Sequence, residues 1–274
     1  MSKDLASTSN LAVVGHVEWV NFLAVDSLPL AGQISRAHLT LEEPGGSGAV
    51  IAVHLARLTG RSVTFFTALG RDEIGKKSEE RLRELGVDPI VAWRDQPTRK
   101  AISLVDRSSD RAITVIGDRL APVANDPLPW ELLAKCNGVF VSATDVGGLR
   151  MARSAKVLTT TPRLGLSVLQ EATVQVDALI GSHLDPGERV PDDALSPRPL
   201  LQIFTEGEAG GVILPGGRYD SQPLPGPVVD TYGCGDTFAA GVTAGLAAGW
   251  TTADAIKLGA QCGASCATHF GPYP

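Results

Sequence analysis

Short apolar runs alternate with helix-length segments along most of this chain, and that alternation leaves few folds open. Leu11–Val17 is a brief apolar run that reads as a first, buried strand. Leu39–Glu42 ends an extended stretch that Glu43-Pro44-Gly45-Gly46 breaks. From Ser47 to Leu58 apolar residues recur at helical spacing, with Gly60 placed to end the helix. Ser62–Leu69 is β-branched and aromatic, and a charged helix follows Gly70-Arg-Asp72-Glu-Ile-Gly75 to about Leu85. Strand followed by helix, repeated, is the pattern of an α/β fold with a parallel sheet. Lys100–Asp106 and Arg111–Ile116 depart from it. They alternate, are joined by Arg107-Ser-Ser-Asp110, and read as a β-hairpin. With the segment from about Val20 to Leu41 they form a small second sheet. Further strands are expected at Gly138–Ser142, Lys156–Thr160, Ala178–Ile180, Leu200–Thr205 and Val212–Leu214. Two glycine- and alanine-rich helices, about Gly235–Ala248 and Ala253–Thr268, close the chain.

Composition narrows the partners. Of 274 residues 43% are hydrophobic, enough for a sizeable core. The net charge of −6, with no run of five like charges, argues against nucleic acid and for a small-molecule substrate. It also offers no general basic field for a highly charged one. Cys136, Cys234, Cys262 and Cys266 lack paired C-x-x-C spacing, so neither a disulfide scaffold nor a zinc site is expected. Met1–Asn10 is polar, and no uncharged apolar stretch reaches the ~18 residues of a membrane span. A soluble, cytoplasmic protein with no membrane partner is the expectation.

The chemistry concentrates in Val228-Val-Asp230-Thr231-Tyr232-Gly233-Cys234-Gly235-Asp236-Thr237-Phe238. Two glycines separated by one small residue let the backbone turn and approach a ligand, and a helix starts at once. The amides at that start form an anion site that the helix dipole reinforces. Asp236, in the first turn, is placed to accept a proton from a hydroxyl. The plainer reading is a tight loop with Asp236 as a helix cap.

Asp230-Thr-Tyr-Gly-Cys-Gly-Asp236 resembles the D-T-x-G-A-G-D signature of the ribokinase-like (PfkB) family of small-molecule kinases. Gly45-Gly46-Ser-Gly48-Ala49 resembles that family's G-G-x-G-A turn, and Gly70-x-Asp72-x-x-Gly75 with Leu82, Leu85 and Gly86-Val87 its G-x-D-x-x-G…L…G-V segment. Thr205-Glu-Gly207-Glu-Ala-Gly210 looks like its T-x-G-x-x-G loop. Four motifs occur in the family's order. The resemblance implies a ribokinase-like parallel sheet flanked by helices, with a small β-sheet lid. It implies one kinase domain over residues 1–274, with lid segments at about 20–41 and 98–117. The activity implied is phosphorylation by ATP, with Mg²⁺, of an alcohol on a sugar, polyol or nucleoside. By this similarity Asp236 is the catalytic base and the turn of Gly233, Cys234, Gly235 and Asp236 is the anion hole. Gly45 and Gly46 then lie at the acceptor, and Thr205, Gly207 and Gly210 at the nucleotide. Asp230 and Thr231 match positions that help bind a monovalent cation in many relatives. A homodimer through the lid is the assembly it suggests.

The departures fall mostly on the acceptor side. Val20 stands where relatives usually have an Asp that binds substrate hydroxyls. Ser47 replaces a frequent Lys, and Val50 replaces a sugar-contacting Asn. Glu18 lies two residues before Val20 on the same strand face, and so is the expected acceptor-binding carboxylate. Ser182 and Asp185 stand at the ends of the family's N-x-x-E magnesium motif, which leaves Asp185 as the one carboxylate there. Cys234 replaces the small Ala of the anion-hole turn, whereas Cys262 and Cys266, one helical turn apart, read as core. His16, His38, His54, His183 and His269 show no ligand spacing. Arg99, Lys100 and Arg111 flank the lid hairpin and read as a solvated strand face. The rival from another class is a catalytically silent sugar- or nucleotide-binding sensor. An oxidoreductase would need G-x-G-x-x-G after the first strand, where Gly15 stands alone.

Overall fold

The computed structural model describes residues 5, 10–191 and 193–274. The polar start Met1–Asn10 lies outside them apart from Leu5 and Asn10. Strands and helices follow one another as β1 (Leu11–Val14), β2 (Glu18–Ala24), β3 (Leu39–Gly45), α1 (Ser47–Thr59), β4 (Val63–Gly70), α2 (Glu73–Glu84) and β5 (Val87–Arg94). Then come β6 (Lys100–Val105), β7 (Arg111–Ile116), β8 (Gly138–Val141), α3 (Val146–Ala152), β9 (Val157–Thr160), α4 (Leu166–Ala172) and β10 (Ala178–Ser182). The chain closes with β11 (Leu201–Thr205), β12 (Gly211–Leu214), β13 (Gly217–Tyr219), α5 (Cys234–Ala247) and α6 (Thr252–Cys266).

The main sheet has the order β13-β12-β11-β10-β9-β8-β1-β4-β5. From β11 across to β5 every pairing is parallel, and β12 and β13 add an antiparallel hairpin at one edge. Alternate side chains divide between two cores. Val13, Phe65 and Phe140 pack with α1, α5 and α6, while Ala12, Val14, Phe66, Val139 and Val141 pack with α3 and α4. The chain winds from β1 to β4 and β5 on one side, then returns to β8 and proceeds the other way. Between β1 and β8 the winding reverses, and in open α/β sheets ligands bind beyond the carboxyl ends of the strands at such a point. The second sheet, β3-β2-β6-β7, stands beside that end.

Several boundaries differ from the sequence expectation for local reasons. The apolar run Leu11–Val17 spans a junction: β1 stops at Val14, and β2 of the second sheet begins at Glu18. Pro44 does not break β3, which continues to Gly45. That strand is an edge and pairs only with β2, so a residue lacking N–H is tolerated there. The same holds for Pro89 in β5, the opposite edge of the main sheet, which the sequence analysis does not anticipate. The seven-residue helices α3 and α4 are too short for periodicity to reveal. Among the described residues no helix is long and apolar enough to cross a membrane.

Candidate active site

The carboxyl ends of the parallel strands carry Gly15-His16 after β1, Ser142 after β8, Arg163 after β9, and Asp185 and Glu188 after β10. Two glycine turns close over this edge, one entering α1 and the other entering α5.

The α5 turn is built around Gly233, whose φ of +80° is the left-handed conformation that favours glycine. Cys234 N–H donates to the Thr231 carbonyl, and the first intrahelical bond runs from Thr237 N–H to the Gly233 carbonyl at 2.8 Å. The Gly235 and Asp236 amides therefore precede the helical ladder and point out of the helix end. No atom lies within 4 Å of where a Gly235 side chain would begin, so the turn has an open face there. Asp236 lies between the two turns. Burial drives its carboxyl up to about 6 from 3.8, opposed by a hydrogen bond from Ser47. The negative charges of Glu188 and Glu18 add to the rise, and Arg163 opposes it.

The α1 turn meets this one through Tyr232. The Tyr232 hydroxyl accepts the Gly46 amide at 2.9 Å and donates to Glu18 Oε1 at 3.3 Å. A side chain on Gly45 would begin 2.4 Å from that hydroxyl and 2.6 Å from Val20 Cγ2, so only glycine fits. Glu18 is buried, and its other oxygen faces Arg99 Nε at 3.2 Å. Burial raises its pKa against both partners. Val20 and Val50, two of the departures, are fully buried and pack together with Phe22, Ala101 and Tyr232. Read one at a time they are lost polar contacts. In space they are a single apolar floor.

Of the sequence-predicted residues, Glu18, Gly45, Gly46, Gly233, Cys234, Gly235 and Asp236 come together here. Cys234 hydrogen-bonds with Cys266, and this contact is the first cause of its lowered pKa and of the raised one at Cys266. Cys266 thus borders the turn rather than the core alone. Asp185 caps a short turn through the Gly187 amide and pairs with Arg163. Thr205, Gly207 and Gly210 form the turn from β11 to β12, one strand further along the same edge, with Thr205 in register with Ser182. Asp230 is set apart from the cleft. Its oxygens accept the Tyr232 and Gly271 amides at 2.8 and 3.1 Å, and Arg111 Nη1 lies 3.9 Å away.

Two site residues escape the sequence analysis, and a third, His16, is set aside there as lacking ligand spacing. Glu188, three residues beyond Asp185, is buried between Arg163 Nε and the Ser182 amide. It supplies a second carboxylate on that turn. Arg163 pairs with both acids and its charge acts on Asp236. His16 is held neutral, its pKa lowered to about 3 by burial and then by Arg119, Arg99 and Arg163. None of the three carries a local motif; only the sheet topology gathers them.

The sequence matches the pfkB family carbohydrate kinase model over residues 8–161 and 197–274. It is 26% identical over 253 residues to the bifunctional ribokinase/ribose-5-phosphate isomerase A of Fructilactobacillus sanfranciscensis, covering 83% of this chain and 47% of that protein. Two further curated relatives are matched over 35% and 28% of their lengths, so the chain spans less than half of each of these three. Among solved structures, adenosine kinase from Sinorhizobium meliloti superposes with a TM-score of 0.77 at 20% identity, over 97% of this chain and 96% of that one. Arabidopsis thaliana ribokinase complexed with ribose and ATP gives 0.74 at 19% identity, over 96% and 93%. The fold is therefore ribokinase-like. The chain belongs to the pfkB family of carbohydrate kinases.

The raised pKa of Asp236 has a stability consequence with a definite sign. Between the unfolded value of 3.8 and the folded value of about 6 the folded state holds a proton that the unfolded chain has lost. Stability from this group therefore falls as pH rises through that window, and the deficit is complete above it. Asp236→Asn removes the deficit. Its Tm should exceed that of the parent at pH 7.5, with the gap narrowing towards pH 4.5 in thermal unfolding. A variant less stable than the parent at pH 7.5 would show that Asp236 serves chiefly as a helix cap.

Proposed function

We propose that this chain transfers the γ-phosphoryl group of ATP to a hydroxyl of a small sugar or polyol. The acceptor hydroxyl lies against Asp236, and the oxygen attacks phosphorus as the carboxylate takes its proton. The bond from phosphorus to the bridging oxygen breaks and ADP leaves. One observation carries this reading: a carboxylate with a pKa near 6 beside outward-pointing helix-start amides, facing a second glycine turn. Such a base is largely ionised at neutral pH yet basic enough to accept the proton. The Gly235 and Asp236 amides answer the charge that spreads over the equatorial phosphoryl oxygens, without reorganising. Family membership supports the same reaction class, and the bound ATP of the plant ribokinase supports the donor.

Glu18 retains its acceptor-side place in this reading. Its oxygens are shared with Tyr232 and Arg99, so a substrate hydroxyl joins an existing network. Thr205, Gly207 and Gly210 are assigned to the nucleotide end of the cleft. Asp185 and Glu188 share one turn, but their oxygens are engaged by the Gly187 and Ser182 amides and by Arg163, so only a Mg²⁺ ion that keeps its water shell and arrives with the phosphates suits them. They would hold it, and it would offset phosphate charge. Asp230 does not suit a monovalent cation. Both oxygens are taken by backbone amides, and the neighbouring positive charge is the Arg111 guanidinium, which also lies 5.5 Å from the Tyr232 ring centre.

Coupled ADP release across a panel of sugars, polyols and nucleosides tests the reading. At least one acceptor should stimulate release, and Asp236→Asn should reduce its kcat by about 10²–10⁴-fold, the contribution of a general base. Turnover by that variant within a few-fold of the parent would refute the assignment. The rate should also be the same within about twofold in potassium, sodium and tetramethylammonium chloride, since a fixed guanidinium already supplies the charge. Strong stimulation by potassium alone would place a cation beside Asp230 after all.

A further inference from the structure

The helices α5 and α6 run antiparallel with their backbones in contact. A side chain on Gly241 would begin 2.7 Å from the Gly259 Cα, and one on Gly245 would begin 2.7 Å from the Ala255 Cβ. Gly263 continues the seam, since a side chain there would begin 3.2 Å from the Cys234 carbonyl oxygen. The same register carries to the helix ends, where Cys234, the first residue of α5, meets Cys266, the last of α6. The Cys266 thiol donates to the Tyr232 carbonyl at 3.3 Å and lies 3.8 Å from where a Gly233 side chain would begin. It also hydrogen-bonds with the Cys234 thiol. Two thiols thus sit side by side at the turn that enters α5, and the proposed reaction uses neither sulfur.

The two sulfurs differ in access and in proton affinity. Cys234 is half-buried beside Gly235, which is exposed and has nothing within 4 Å on its side-chain face. Cys266 is buried. The hydrogen bond from Cys266 lowers the pKa of Cys234 against the cost of burial, and the positive charge of Arg111 adds to it. Cys266 is moved the other way, first by that same hydrogen bond and then by burial. Position at a helix start favours the Cys234 thiolate as well. A partly exposed thiolate beside a buried thiol is the arrangement in which one sulfur meets the oxidant and the other resolves it. The remaining cysteines lack this asymmetry, for burial pushes both Cys136 and Cys262 up to about 11.

We propose that Cys234 and Cys266 are an oxidation site for peroxides, closing to a reversible disulfide that displaces the α5 turn and switches it off. The Cys234 thiolate attacks one peroxide oxygen, the O–O bond breaks, and the other oxygen leaves as hydroxide, which becomes water with the proton the thiol gave up. The Cys266 sulfur then attacks the sulfur of the Cys234 sulfenic acid. The S–O bond breaks, and the hydroxyl departs with the Cys266 proton as a second water. Two thiols lose two electrons and the peroxide gains them; a dithiol reductant reverses the step by exchange. Closure draws the sulfurs from hydrogen-bond contact to about 2.0 Å. It also removes the hydrogen that Cys266 gives to the Tyr232 carbonyl. The Gly235 and Asp236 amides follow Cys234 directly in the chain, so they move with it. The effect on turnover rests on the kinase reading, whereas formation of the bond does not.

The experiment treats the full chain with a small excess of hydrogen peroxide and maps its peptides by mass spectrometry without reduction. A peptide cross-linked between Cys234 and Cys266 should appear, with two of the four thiols lost to a thiol reagent and both restored by dithiothreitol. Cys266→Ser keeps a hydrogen-bond donor and should leave basal ADP release unchanged. After peroxide it should hold Cys234 as a sulfenic acid that dimedone traps. In Cys262→Ser the Cys234–Cys266 bond should still form. Oxidation of the parent should lower ADP release by about 10²-fold, the cost of displacing a reacting group by about 1 Å, and dithiothreitol should recover it. Calorimetric binding of a non-hydrolysable ATP analogue should weaken and recover in step. A parent chain in which Cys234 stays a free thiol or pairs with Cys262 would overturn the proposal. So would a Cys234–Cys266 disulfide that leaves ADP release and analogue binding both unchanged. If the reduced chain releases ADP with no acceptor, the kinase reading falls, while the cross-link and analogue binding still decide this one.

Discussion

A single buried hydroxyl ties the two halves of this site together. Tyr232 accepts the Gly46 amide and donates to Glu18, while its own amide is held by Asp230. A tyrosine is buried stably only when its hydroxyl finds partners, and these come from three separate elements. The distance between the α1 and α5 turns is therefore set by hydrogen-bond geometry rather than by packing alone. Gly45 must be glycine because that hydroxyl passes where a side chain would stand. Asp230 extends the tie to Gly271 near the carboxyl end of the chain, and Cys266 donates to the Tyr232 carbonyl. With both turns fixed, Asp236 sits half-buried between them, and its proton affinity rises as a consequence.

Much of this was legible in the chain, and the reasons are specific. Leu11–Val14 and Gly138–Val141 are apolar on both faces because helices cover both, so they read as short continuous runs. The α1 and α5 turns were legible because only glycine meets their backbone demands. What escaped depends on neighbours distant in sequence. Val87–Arg94 is a strand because it lies against β4 at an edge, despite Asp88 and Pro89. Glu188 lies three residues past the motif spacing and is turned inward by the Ser182 amide. His16, Arg119 and Arg163 become a cluster only when β1, β7 and β9 end at one place. Cys266 reads as core until α6 brings it against Cys234.

The substitutions around Val20 and Val50 show why single-position comparison understates a pocket. Either change alone would leave a polar partner facing an apolar side chain, which is costly when buried. Together they pack against Phe22, Ala101 and Tyr232. What reads in the sequence as two lost hydroxyl contacts is in space one apolar patch beside the α1 turn. The α5 turn with Asp236 and the paired acids after β10 are separable from that change because they sit on other elements of the fold.

The proposed reaction requires Asp236 to be a half-buried base rather than an ordinary helix-cap carboxylate. The direct measurement is a pH titration of aspartate side-chain carboxyl carbons by ¹³C NMR, with Asp236→Asn identifying the resonance. A midpoint near 6 is expected for Asp236 in the folded protein. A midpoint near the ordinary 3.8, with the fold intact, would contradict it.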